Sequence, residues 1–223
     1  MRTHGKQSGF TLVELAIVLA IIGLILAAIL KGQEMIQNAK TKNVINDLRG
    51  VSTAYYAYLD RYYAIPGDDA AANMHFASAV IGNGDGFISG LYSSSDALVA
   101  GATTESNKFW QHTRMAGFLT GSGSNPATNA LGGLLGVQSQ ITAAGASTYG
   151  MAGNVVCAGS IPWKIALAVD TTIDDGNSTT GTVRAGTAGT VPTEPGAISA
   201  YGVSGVAVTT TMEEGLHTVC MKI

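Results

Sequence analysis

The chain has no proline before Pro66, so nothing of that kind interrupts a helix in its first quarter. Charge is scarce: 12% of residues are Asp, Glu, Lys or Arg, the formal net charge is -3, and no Lys/Arg cluster follows Lys42. A surface that tracks phosphates is therefore not predicted, and nucleic acid is not an expected partner. Low charge together with 29 glycines also excludes a charged disordered tail and predicts a weakly charged, loop-rich domain. Catalytic patterns are missing too. His4, His75, His112 and His217 show no metal-ligand spacing, and Ser204, in Gly202-Val203-Ser204-Gly205, lacks the full nucleophile-elbow pattern. Gly82, Gly84 and Gly86 have neither the Lys-Ser/Thr end nor the strand-turn-helix setting of a phosphate loop. Nothing in the chain reads as an enzyme.

What is present is a long apolar run. Leu15 to Leu30 carries no charge, and counted from Phe10 the run as a helix spans roughly 30 Å, the thickness of a bilayer core. Arg2 and Lys6 precede it, which by the positive-inside bias places the N-terminus in the cytoplasm and the residues after Lys31 on the far side. A secretory signal would have a shorter core with a small-residue cleavage site behind it. Here the small residue, Gly9, stands in front. One acid, Glu14, sits inside the run. A carboxylate in such a segment is costly, so either it lies near enough to the interface to stay hydrated or it has a partner and a function.

Met1 to Gly9 is a short basic leader, Gly9-Phe10 a small-then-aromatic junction, and Phe10-Thr11-Leu12-Val13-Glu14-Leu15 opens the apolar run. This arrangement resembles the class III prepilin signature of type IV pilins and of type II secretion pseudopilins. The resemblance covers about the first thirty residues. It implies that a membrane-embedded prepilin peptidase cuts between Gly9 and Phe10 and N-methylates Phe10. It also implies that Glu14 pairs with the N-terminal amine of a neighbouring subunit, two costly buried charges offsetting each other on docking. Many family members carry a proline near the end of the run, where this chain has Lys31-Gly32, so Gly23 and Gly32 are its weak points for local unwinding. The stretches "PGDD", "NGDGFI", "FWQHTRMAGFLTG" and "IDDGN" are similar to a broader group of large pilin-like proteins and imply an elaborated head.

Beyond the apolar run the helical pattern continues. Ile45, Leu48, Ser52, Tyr55, Leu59 and Tyr62 recur at three- and four-residue spacing, giving one packing face on a helix from Phe10 to about Tyr63. The tyrosines Tyr55, Tyr56, Tyr58, Tyr62 and Tyr63 read as core beneath a sheet. Ile65-Pro66-Gly67 ends the helix. Later segments predict a helix over Glu105–Leu119, with Phe109, Trp110, Thr113 and Ala116 on one side, and a strand over Leu134–Ile141. A helix opened by Pro162 at its first position runs to Ile173. Short strands follow around Thr182–Arg184, Ala197–Val203, Val206–Thr211 and His217–Ile223, with 179–196 linker-like. The expected class is α+β and pilin-like. A long N-terminal helix, transmembrane and then amphipathic, packs on a small antiparallel sheet in a C-terminal globular head. The divisions are a leader over 1–9, the helix over 10–64 with 10–30 in the membrane or filament core, and the head over 65–223.

Cys157 and Cys220 fall in the part expected in the periplasm, where thiols oxidise, so they read as one disulfide, or otherwise as two buried thiols. Calcium is a possible ligand, and no cofactor is required. Asn83-Gly84-Asp85-Gly86 looks like the middle of a calcium loop, although the first ligand position of an EF-hand would fall on Ile81. Asp68 and Asp69 complete an oxygen-rich set if the chain folds back, and otherwise make an Asx turn beside the helix stop. Asp174-Asp175, at a helix C-terminus, opposes the dipole and points to a cation or simply to solvent. The resulting expectation is a filament subunit of the type IV pilin kind, in the bacterial inner membrane with the N-terminus cytoplasmic before assembly. Its partners are copies of itself or other pilin subunits, the prepilin peptidase, an inner-membrane assembly platform and the membrane. Two alternatives remain: a type II secretion pseudopilin of a short periplasmic filament, and a membrane-anchored enzyme or sugar-binding protein.

Overall fold

The computed structural model describes residues 11–93, 104–139, 150, 151, 153–187 and 215–223. The first element is the helix α1 (Leu12–Tyr62), and the chain divides after Ala39, inside it, into two compact units. Up to Ala39 the helix is unbroken through Gly23 and Gly32, and nearly every residue is exposed.

From Lys40 on, α1 is amphipathic. Thr41, Val44, Leu48, Val51, Tyr55 and Tyr58 are buried at alternating three- and four-residue spacing, with Ile45 and Ala54 beside them. The period is the expected one but the phase is rotated. Ile45, Leu48 and Tyr55 are buried as expected, whereas Ser52, Leu59 and Tyr62 lie half-buried at the margin. The side that turns inward offers the short side chains of Val44, Val51 and Ala54, which let neighbouring backbone come close. Burying Val44, Leu48 or Val51 contributes on the order of 2 kcal/mol each. Of the tyrosine cluster only Tyr55 and Tyr58 are core; Tyr56 and Tyr63 are exposed. Tyr63 takes a left-handed φ of 54°, and Pro66 blocks any continuation.

Among the described residues the remaining helices are α2 (Ala72–His75), α3 (Glu105–Met115) and α4 (Trp163–Ile173). The third is shorter than its sequence predicts because Gly117, at φ 79°, closes a Schellman turn: its N–H donates to the Arg114 carbonyl and the Phe118 N–H to that of Thr113, both at 3.0 Å. Phe109, Trp110 and Thr113 are buried as expected, and Ala116 only in part. Pro162 is the N-cap of α4, one place before its first residue.

Five strands, β1 (Ala127–Thr128), β2 (Leu134–Ser139), β3 (Asn154–Pro162), β4 (Val183–Thr187) and β5 (Leu216–Lys222), form one antiparallel sheet in the order β1-β2-β3-β5-β4. This is the α+β, pilin-like arrangement that the sequence predicts. The strands around Leu134, Thr182 and His217 are where they are expected. Those expected at 197–203 and 206–211, with Ser204 and the second half of the linker-like 179–196, fall outside the described residues. The strands β1 and β3 and the short α2 are additions. In β3 both faces are covered: Val156 and Ala158 join the core of Leu48, Val51 and Phe109, while Val155 and Cys157 pack with Tyr92, Met151 and Cys220. A strand buried on two sides shows a continuous apolar run, without the alternation that marks a half-exposed one.

Candidate functional site

Two regions of the chain carry unusual polar chemistry, the start of α1 and the carboxylates of the sheet-containing unit. At the start of α1, the Thr11 backbone N–H and hydroxyl both donate to Glu14 Oε2, at 2.8 and 2.9 Å, and the Glu14 N–H donates to Thr11 Oγ1 at 3.3 Å. This is the reciprocal capping box of a helix N-terminus. Its Thr-x-x-Glu signal was present in the sequence before an apolar run, and it names Thr11 as a residue that the reading of Glu14 alone had missed. Among the described residues, Glu14 Oε1 accepts no hydrogen bond. Gly9 and Phe10, the expected processing junction, lie outside the described residues. Thirteen large apolar side chains between Leu12 and Leu30 are exposed in the single chain, Leu12 at 87% and Leu24 at 74%. That much uncovered apolar surface needs lipid or other helices around it. The segment is long and apolar enough to cross a membrane.

In the unit from Lys40 onward, the turn after α1 brings Asp68 under the 83–89 loop. Its Oδ1 accepts the N–H groups of Gly84 (2.6 Å) and Asp85 (3.1 Å), and its Oδ2 that of Gly86 (2.8 Å). Glu105, in the first turn of α3, holds the same loop from the other side, taking Asn83 N–H on Oε1 at 3.1 Å and Ser89 N–H on Oε2 at 2.9 Å. Both carboxylates are buried. Burial raises the pKa of Asp68, opposed by the N–H groups of Gly86, Gly84 and Asp85 and reinforced by the charge of Glu105. Of the four calcium candidates, Asp68 and Asp85 come together, with Glu105 as their third neighbour. Asp69 turns away: its Oδ2 accepts the Tyr58 hydroxyl at 2.7 Å and its Oδ1 the Ala71 N–H at 2.8 Å. The Asn83 amide donates to Asp85 Oδ2 at 2.9 Å.

His112 fixes the entry to that turn. Its Nδ1 accepts the Gly67 N–H at 2.9 Å, so Nε2 carries the proton and donates to the Val80 carbonyl at 2.8 Å. Burial pushes its pKa down.

A second acidic group forms behind α4. Asp170, in the last turn of the helix, is fully buried; its Oδ1 accepts the Gly176 N–H at 3.2 Å and its Oδ2 has no partner. Asp174 and Asp175 follow on the loop. Asp174 Oδ2 accepts the N–H groups of Thr182 and Val183, and Asp175 accepts the Asn177 N–H at 2.8 Å and the Thr180 hydroxyl at 2.6 Å. Burial, reinforced by the neighbouring charges of Asp175 and Asp174, pushes Asp170 up to about 7 even against its Gly176 hydrogen bond. Sequence reading found Asp174 and Asp175 and missed Asp170, whose four-residue spacing from Asp174 was the available signal.

Cys157 and Cys220 form a disulfide between direct cross-strand partners of β3 and β5, with Cα atoms 4.0 Å apart. The bridge lies in the small cluster with Tyr92, Met151 and Val155, and the Tyr92 hydroxyl pairs with the Thr218 hydroxyl at 3.0 Å.

Residues 4–30 match the family model described as the prokaryotic N-terminal methylation motif. That is the type IV pilin and pseudopilin signature. No curated protein matches the chain. The pilin signature points to a structural subunit rather than an enzyme, and it implies processing by prepilin peptidase and assembly with other pilin subunits. The exposed apolar start of α1 fits inner-membrane anchoring before that assembly. Thr11 and Glu14 are the first polar side chains after the expected junction, and the capping box joins them at the start of the helix.

Proposed function

We propose that this chain is the subunit of a type IV pilus-like extracellular filament. Prepilin peptidase cuts it between Gly9 and Phe10 and methylates Phe10. Residues 10–30 hold it in the inner membrane, and an assembly platform then docks those helices side by side while the head stays on the filament surface. Glu14 registers the helices by pairing with the Phe10 amine of a neighbouring subunit. The observation that carries this reading is the bare apolar surface of Leu12 to Leu30 within the methylation-motif match over residues 4–30, with Glu14 as its only charge. A lipid-facing helix needs no such acid; a helix that must dock in one register has a use for it. Intact-mass analysis of the protein extracted from membranes or filaments tests the processing step. The expected mass lacks Met1 to Gly9 and carries one added methyl, and assembled protein that retains its leader refutes the proposal.

The motif is shared with pseudopilins, which use the same N-terminus in a short periplasmic filament. Deletion of the gene separates the two readings: loss of surface filaments with secretion intact supports the pilus, and loss of secreted enzymes supports the pseudopilus.

A further inference from the structure

Among the described residues two groups of acids are close enough to share an ion, Asp68 with Asp85 and Glu105, and Asp170 with Asp174 and Asp175. They differ in what already occupies their oxygens. Both oxygens of Asp68 and both of Glu105 accept backbone N–H groups, so positive hydrogens of the chain fill the space that a cation would need. The second group is open at Asp170 and Asp174, while Asp175, the exposed member, accepts the Asn177 N–H on Oδ1 and the Thr180 hydroxyl on Oδ2. Asp170 is 0% exposed and its Oδ2 has no hydrogen-bond partner, although a buried carboxylate oxygen almost always finds one. Among the described residues the hydrogen bonds of Asp174 all fall on Oδ2, leaving its Oδ1 without one. A fully buried, half-satisfied carboxylate beside two more acids is costly by itself, and an ion supplies what the hydrogen bonds do not.

We propose that Asp170, Asp174 and Asp175 bind one calcium ion, which ties the C-terminal end of α4 to the loop leading into β4. Each of the three offers one oxygen, and these oxygens lie within 4.8 Å of one another, a spread that ligands at about 2.3–2.6 Å from a common ion can span. The donor set is all oxygen, with no His or Cys, which selects a hard cation over zinc or copper. Calcium is favoured over magnesium because the ligands come from a helix end and a loop of irregular shape, a geometry that the flexible coordination of calcium tolerates and octahedral magnesium does not. The basic residue that acts on Asp175 is Arg184, on β4. The loop is closely drawn: Gly176 has φ 76° and Gly181 φ 75°, and a Cβ on Gly181 would run into the Asp174 carboxylate. The affinity expected is that of extracellular calcium modules, about 10⁻⁴ to 10⁻³ M.

The test uses the full chain in detergent, stripped with a chelator, and reads bound calcium by equilibrium dialysis and thermal unfolding against added CaCl₂ or MgCl₂. The wild type is expected to bind one calcium per chain and to unfold at a higher temperature as CaCl₂ rises, with a much smaller response to MgCl₂. Asp170→Asn is isosteric and uncharged. Its affinity for calcium should fall at least tenfold, while without calcium it should unfold at or above the wild-type temperature, because the buried charge is gone. Asp174→Asn and Asp175→Asn should each lose the calcium response too, which keeps the test decisive if one variant folds poorly. A wild type with no calcium response overturns the proposal. So does a response that survives Asp170→Asn and disappears in Asp85→Asn, which would put the ion in the other group.

Discussion

Replacing both Cys157 and Cys220 by serine removes a cross-link without removing a ladder. Val156↔Met221, Cys157↔Cys220 and Ala158↔Val219 are paired across β3 and β5 whether or not the sulfurs are joined. The stabilisation should therefore reside mostly in the unfolded chain, where the bridge closes a loop between residues 63 apart. The chain-entropy relation gives about 4 kcal/mol for a loop of that length. For a unit of this size, about 2–4 °C is lost per kcal/mol, so the double variant should unfold about 8–16 °C below the wild type. The assay is thermal and urea unfolding of the processed full chain in detergent, followed by circular dichroism, with the wild type oxidised and reduced. Urea adds a second criterion. A cross-linked unfolded state exposes less surface, so the denaturant slope should be smaller with the bridge intact. A loss of under about 1 kcal/mol, or an unchanged slope alongside a large loss, would refute the loop-closure account. In the second case the bridge would act through packing with Tyr92 and Met151.

Three further outcomes are expected. Glu14→Gln should keep the capping box, which takes Gln as well as Glu at that position, yet lower filament yield at equal levels of processed subunit; Glu14→Ala should lose both, and Thr11→Ala should assemble better than either. The pKa of His112 is lowered in the fold, so the stability it contributes is full above about pH 6.5 and falls as pH drops toward its folded value; Asp68, with a raised pKa, drifts the other way. The difference in urea stability between wild type and His112→Gln across pH 8 to 5 isolates the histidine, whose neighbours include the Tyr58 ring, Asp69 and Lys108, and a flat difference would contradict the neutral buried tautomer. Asp68→Ala strands the N–H groups of Gly84, Asp85 and Gly86 and should cost about 3 kcal/mol or more, and Asp68→Asn less, since one oxygen still faces the loop; equal losses would mean that these bonds do not hold it.

The start and the end of α1 were the easiest parts to read, because each carries a local rule. A long proline-free apolar run makes α1, and Pro66 ends it. The period of the packing stripe was legible while its phase was not. A three-and-four repeat fits two adjacent faces of the same helix, and only the approach of the sheet to Val44 and Val51, and of His112 and Asp69 to Tyr58, chose these over Ser52, Leu59 and Tyr62. For β3 the reason is different: its two-sided burial depends on Tyr92 and Cys220, partners far off in sequence, covering the second face together with the nearby Met151. The same non-locality hid Glu105. It joins the loop of Asp68 only because α3 packs there, and a single buried glutamate at a helix start has no spacing to reveal it. Asp170 was concealed by its company, since in Ala166-Leu167-Ala168-Val169-Asp170 an acid at the end of an apolar helix reads as a solvated C-terminus until burial is known.

In the filament proposed above, the capping box changes what Glu14 must do. Before docking, Oε2 is already engaged by the Thr11 N–H and hydroxyl, so the carboxylate is held at the helix start in a fixed orientation. An incoming amine therefore meets an acceptor whose rotamer is set, and the ordering entropy of that side chain does not fall on the docking step. Oε1 remains for it. The geometry also limits where the amine can come from. Phe10 directly precedes Thr11, whose N–H already occupies Oε2, so the proposed pair with a neighbour's Phe10 is left the Oε1 side. On this reading Thr11 is a positioning residue and Glu14 the charged one, and the two are separable. Restoring the hydroxyl with Thr11→Ser should recover the assembly lost in Thr11→Ala, whereas no change at residue 11 should recover filaments in Glu14→Gln.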